Sequence, residues 1–265
     1  MNLKAAREAV RTVVDQILAT PDAALVEPFD WHGTGLTRRQ GIFHLLQEFE
    51  GDSARFAPRT EVGALAAHLG DARGDFLGAL LPFADLDLDL VPAPGEWTLR
   101  QTLGHVADAL AWWTWLLTYW GSHPDLGWPP REEIPQRFRE EGTHAGSLGE
   151  IGSQIETDSD SFSGLLVPLA GSLGARVRWN KSEVPLRFYP LRATQHFREH
   201  AIQVDKTLAM LGRQPTEQER IGRILMAAAG RLEGAYLTGE ADWSEVRLEE
   251  ILVESRVLFG GQPSN

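Results

Sequence analysis

Between Thr98 and Trp120 the chain reads TLRQTLGHVADALAWWTWLLTYW, and no other stretch restricts the fold as much. It holds no proline, Thr98 can cap its start, and Gly121 follows its end. Its apolar residues recur at helical spacing. Trp112, Trp113, Trp115 and Trp120 spread them over more than one face. A helix that is apolar on several sides must be surrounded by other elements. Its most apolar part, Ala109 to Trp120, is about a dozen residues, whereas a membrane span needs roughly 20. The run is therefore expected as a buried helix of a bundle.

The rest of the chain supplies neighbours. Asn2 caps a first helix with Ala6, Val10, Val13, Val14, Ile17 and Leu18 on one stripe, ended by Thr20-Pro21-Asp22. Pro28 to Gly35, holding Trp31 and His32, reads as a loop. Thr37 opens a second helix to about Phe49, and Thr60 a third that runs to Leu81. Leu86 to Glu96 is an acidic, then Pro-rich connector. After Gly121 comes an irregular segment with Pro124, Pro129, Pro130 and Pro135. Leu148 to Leu169 reads as a helix weakened by Gly149, Gly152 and Gly164, at about 1 kcal/mol each. Residues 175–188 alternate around a polar turn and form the one expected β-hairpin, which Pro185 keeps short or at an edge. Helices follow over Pro190 to Leu211, Thr216 to Leu237 and Glu245 to Leu258.

The expected class is all-α, a bundle of long helices joined by loops. The chain reads as a single domain. Residues 1–57 are an N-terminal helical extension, 58–212 the bundle core, and 213–265 C-terminal helices. The best candidate boundary is Gly51 to Pro58.

Composition narrows the function. There are 37 acidic against 25 basic residues, a net charge of −12. Such a field repels phosphate, so binding of nucleic acid by a general basic surface is not expected. With no cysteine, a disulfide framework, a thiolate metal site and a cysteine nucleophile are excluded. A protein metal site must then use His, Asp or Glu. Neither a signal peptide nor a membrane span is read, so the expectation is a soluble cytoplasmic protein. The expected partner is a small molecule, with a homodimer left open.

Three of the eight histidines stand out. His196 and His200, in QHFREHAIQVDKTL, lie four apart and project from one face of a helix. They share register with Ala193, Ala201, Val204 and Leu208. His105 lies in the first half of the Trp-rich helix, in register with Ala109 and Trp112. All three are expected to point toward the core, where an unpaired ring leaves a polar atom unsatisfied. A divalent metal would satisfy them; hydrogen bonds within the core are the other solution. Three neutral imidazoles with open positions suit Zn²⁺ best, with Ni²⁺, Fe²⁺ or Mn²⁺ as further candidates.

The segments APGEWTLRQTLGHVADA and HFREHAIQVDKTL, about ninety residues apart, resemble the DinB-like (YfiT-like) metal-binding four-helix-bundle superfamily. Trp97-Thr98, then His105, then the His196/His200 pair match its pattern in order and spacing, over roughly Gly63 to Leu211. The resemblance implies a four-helix bundle of up-down-down-up type, here with extra helices at both ends, and a divalent metal held by His105, His196 and His200. It further implies a low-molecular-weight-thiol-dependent transferase serving detoxification or stress response. A metal-dependent amide hydrolase and a non-catalytic metal-binding module are the alternatives. A transferred thiol would have to be supplied as a cofactor, because the chain has none.

Asp108 and Glu199 are the candidate catalytic or ligand-orienting carboxylates, each equally readable as solvated. Trp112, on the His105 face, is the candidate cofactor-binding wall, although core packing is the plainer reading. His32, His44, His68, His123 and His144 read as structural. His68 and His144 are the best placed of these to reach a pocket.

Overall fold

The computed structural model describes residues 2–123, 127–138, 144–241 and 248–259. Among these residues are nine α-helices: α1 (Leu3–Leu18), α2 (Asp22–Leu25), α3 (Arg38–Arg55), α4 (Glu61–Gly78), α5 (Leu99–Ser122), α6 (Leu148–Gly164), α7 (Phe188–Met210), α8 (Glu217–Leu237) and α9 (Leu248–Phe259). The architecture is all-α, as expected. Helix starts follow local chemistry. Asn2 accepts the amide of Ala5 and Thr60 that of Gly63. Thr37, Thr98, Ser147 and Thr216 form reciprocal capping boxes with Gln40, Gln101, Glu150 and Glu219. Each box satisfies backbone donors that a helix start leaves orphaned. Pro190 lies in the first turn of α7, where its missing N–H is not needed.

Helices α4, α5, α6 and α7 form a four-helix bundle in which α4 packs on α6 and α7, and α5 on the same two. Residues Leu99, Leu103, Val106, Leu110, Trp113 and Leu117 are all buried. Their spacing is the alternating four-and-three step of a helix seam. They share one apolar core with Phe76, Ile155, Phe162, Phe197 and Val204. A second core joins α1, α3, α8 and α9 through Ile17, Ile42, Phe49, Leu225, Ile251 and Leu258.

The two cores meet where α8 lies along α4. A Cβ on Gly70 would run into the carbonyl oxygen of Gly230, and one on Gly230 into that of Gly70. A buried ionic network crosses the same joint. Arg7 of α1 donates to Asp160 of α6 at 2.7 Å and to Glu233 of α8 at 2.8 Å. Arg73 of α4 binds the same two carboxylates. Burial opposes the charge of Glu233, but Arg73 and Arg7 outweigh it and hold its carboxyl below the usual range.

Several boundaries differ from expectation. The 28–35 loop is the first half of a hairpin, β1 (Pro28–Trp31) paired antiparallel with β2 (Thr34–Thr37). The expectation of a single hairpin near 175–188 is thus corrected to two. His32 at φ 50° and Gly33 at φ 83° make a two-residue turn in left-handed backbone conformation, whose twist matches the right-handed twist of the paired strands. The expected hairpin is present as β3 (Arg176–Trp179) and β4 (Ser182–Pro185). Helix α3 continues past Phe49 to Arg55, since no proline intervenes before Pro58. Helix α6 stops at Gly164 rather than 169. Pro168 disfavours helix at Val167, and the chain closes in tight turns. Parts of the irregular segment after Gly121, Pro124 included, lie outside the described residues, as does Glu245, the expected start of the last helix. No described helix is long and apolar enough to cross a membrane.

Candidate metal centre

Helix α7 presents His196 and His200 one turn apart on its inward face, and α5 brings His105 opposite them. His196 and His200 are 5% and 8% exposed. The ring of His105 lies 5.0 Å from each, centroid to centroid, and those two rings lie 4.4 Å apart. One nitrogen from each of the three falls within 4.8 Å of the others, so the group could hold a metal ion.

His105 differs from expectation in one respect: it is exposed rather than core-facing. The buried stripe of α5 runs through Leu103, Val106 and Leu110. His105 stands one residue, about 100°, off that stripe. Its neighbours on the helix surface, Gln101 and Asp108, are exposed too. The triad is therefore two buried rings closed by a third at the surface.

The nitrogens are not equivalent. Nδ1 of His200 lies 2.7 Å from the amide oxygen of Gln203. An amide oxygen only accepts, so Nδ1 carries the proton and Nε2 keeps a free lone pair. Nε2 of His196 is buried and has no hydrogen-bond partner among the described residues. Its Nδ1 sits between a cation and an anion, 3.4 Å from Nη2 of Arg192 and 3.7 Å from the carboxylate of Glu199. Arg192 and Glu199 pair with each other at 2.9 Å.

All three rings favour the neutral form. Burial pushes the pKa of His196 down to about 3, and His200, His105 and Arg192 push the same way. Burial also lowers His200, against the opposing bond to Gln203. Partial burial lowers His105, with Arg192 helping and Asp108 opposing. Three neutral imidazoles gathered this closely are the protonation state a divalent cation requires.

Aromatic rings flank the cluster. Trp97 lies 5.1 Å from His105, and Trp113 lies 5.1 Å from His196 with Arg192 over its face. The ring against the triad on α5 is thus Trp113. Trp112 stacks on Trp115 at 5.2 Å and meets Trp128 and Phe138. Trp112 is on the His105 side of the helix, but seven residues place it about 10 Å further along the axis.

Asp108 is exposed and lies 3.1 Å from Nε2 of His144, close enough for an ion pair but not aligned as a hydrogen bond. His144 packs on Gly104, where any Cβ would collide with its ring. Arg100 draws this segment in by donating to the carbonyls of His144 and Gly146 while gripping Asp89. His68 is exposed on α4. Gln203 and Arg192 are not among the residues singled out in the sequence, and Trp113 stands there only as one of four tryptophans, with no role at the site. The signal for Gln203 is present in HFREHAIQ, where an acceptor follows each histidine by three residues.

The model of one family, the DinB superfamily, matches residues 68–204, a span that includes all three histidines. No curated protein and no solved structure matches the chain.

Proposed function

The chain belongs to the DinB superfamily, and from that premise we propose that it is a metal-dependent enzyme, a transferase that uses a low-molecular-weight thiol. His105, His196 and His200 hold the ion. The observation that carries this reading is the buried, partnerless Nε2 of His196, set beside two further imidazoles. Leaving such an atom unsatisfied costs about 1–3 kcal/mol, which ligation removes.

Zn²⁺ is the expected ion, since neutral imidazoles are its preferred nitrogen ligands. The ion supplies Lewis acidity toward a thiol or water. The chain's own residues do the rest. Gln203 keeps the His200 lone pair on Nε2, and the exposure of His105 leaves one side of the cluster reachable from solvent. Trp97 and Trp113 present apolar surface beside it, which limits water around a bound substrate. Arg192 is the nearest cation to His196 and, by exchanging Glu199 for a ligand carboxylate, can anchor an anionic group. The absence of cysteine is compatible with an external thiol, because no side chain competes for the ion as a thiolate.

Metal content of freshly purified protein, followed by turnover of an electrophile with and without added thiols, tests the proposal. The expected result is about one ion per chain and turnover that depends on thiol. One ion per chain that persists in the double variant His196→Ala/His200→Ala overturns the site. Thiol-independent cleavage of an amide overturns the transferase reading in favour of hydrolysis.

A further inference from the structure

Helix α7 carries the pattern His196-x-x-Glu199-His200-x-x-Gln203. Residues three apart on a helix are surface neighbours, so each histidine has an acceptor one turn behind it. The two units are in different states. His200 Nδ1 and Gln203 Oε1 are at full hydrogen-bond distance, 2.7 Å. His196 Nδ1 and Glu199 are 3.7 Å apart, and the Glu199 carboxylate is tied to Arg192 and largely in solvent. Arg192 also competes for Nδ1, and a guanidinium can only donate.

We infer that Gln203 is a positioning residue for the metal centre: its amide oxygen fixes the tautomer and rotation of His200 so that Nε2 faces His105 and His196. This rests on the metal-binding reading above and says which residue organises that site. A neutral acceptor suits the task. It accepts a hydrogen bond from Nδ1 and orders the ring without placing a negative charge beside it. Glu199 holds the corresponding place for His196. Its exposure and its bond to Arg192 make its grip the weaker of the two.

The test uses the full-length protein stripped of metal and titrated with Zn²⁺ against a chromophoric chelator, and with Co²⁺ read by visible absorption. Gln203→Met keeps side-chain length and loses the acceptor. It is expected to weaken Zn²⁺ binding by about 10- to 100-fold, the usual cost of losing a partner behind a ligating histidine, and to alter the Co²⁺ bands. Gln203→Glu restores an acceptor and is expected to recover both. Glu199→Met is expected to weaken binding by less than Gln203→Met does. Should Gln203→Met fail to fold, as judged by circular dichroism, Gln203→Ala serves the same comparison. Wild-type affinity and wild-type Co²⁺ bands in a folded acceptor-less variant overturn the positioning role and leave the metal site standing. A wild-type protein that binds neither ion overturns the metal reading itself, and the role of Gln203 with it.

Discussion

Among the described residues, the ionic network at the α4–α8 joint and the histidine triad are built on opposite principles. The network of Arg7, Arg73, Asp160 and Glu233 pairs two cations with two anions across four helices. Arg73 keeps one buried nitrogen, Nε, without a partner, but both its Nη atoms are engaged. The triad of His105, His196 and His200 gathers three groups of the same kind, none of which can neutralise another. Burial keeps the rings neutral instead, and His105 adds to the lowering at both His196 and His200. A cluster that satisfies itself serves as a structural joint. A cluster of like lone pairs could be completed by a metal ion.

This contrast can be broken most sharply at Glu233. Glu233→Ala leaves Arg7 and Arg73 sharing Asp160 alone. The expected loss of stability is about 3–5 kcal/mol, as for one partner removed from a buried ion pair, read by urea unfolding. An unchanged midpoint would show that the network is not a joint. His196→Ala in metal-free protein should cost less, because it deletes an atom that is already unsatisfied.

Metal is the next lever. Zn²⁺ at about 100 times its dissociation constant should stabilise the wild type by about 2.7 kcal/mol. Chelator should reverse the gain, and His196→Ala should abolish it. Thermal melts with and without Zn²⁺ measure this, and a variant that keeps the full shift would move the site elsewhere.

Acid should act on the triad with a definite sign. His196 titrates near the ordinary 6.5 when unfolded and at about 3 when folded. Between those values the unfolded chain binds a proton that the folded chain refuses. This contribution to metal-free stability is full above pH 6.5 and falls by about 1.4 kcal/mol per pH unit toward pH 3. The slope should be absent from His196→Ala, and so should appear in the difference between wild type and variant. Equal slopes in the two proteins would mean that the ring is not buried neutral.

The smallest expected effect is at the start of α5. Thr98→Ala removes the cap of the helix that carries His105 and should cost about 1 kcal/mol. It should also lower Zn²⁺ affinity slightly, whereas the corresponding Thr216→Ala, at the start of α8, should cost as much stability and leave affinity unchanged.

Much of this was legible in order along the chain. Asn2, Thr37, Thr60, Thr98 and Thr216 mark helix starts by a mechanism confined to four residues, and the structure places every one as a cap. The register of His196 and His200 with Ala193, Val204 and Leu208 is equally local, and all five are buried. What was missed depends on contacts the chain order does not show. The hairpin at 28–37 hides behind a His-Gly turn that only a left-handed His32 makes possible. Trp113 rather than Trp112 meets the triad because Trp113 lies on the buried seam of α5, while Trp112 packs among Trp115, Trp128 and Phe138.

The sequence by itself determined which residues start helices, which stripe of each helix is apolar, and that a metal site here must use His, Asp or Glu. Those properties follow from a helical repeat of 3.6 residues and from the side chains available. Only the tertiary structure decided that His105 closes the triad from the solvent side, that Gln203 rather than a carboxylate holds His200, and that α8 lies against α4 closely enough to demand glycine at 70 and 230. Each of these depends on the rotation and spacing of one packed helix against another or on the rotamer its surroundings leave open, and neither is written in the periodicity of a single helix.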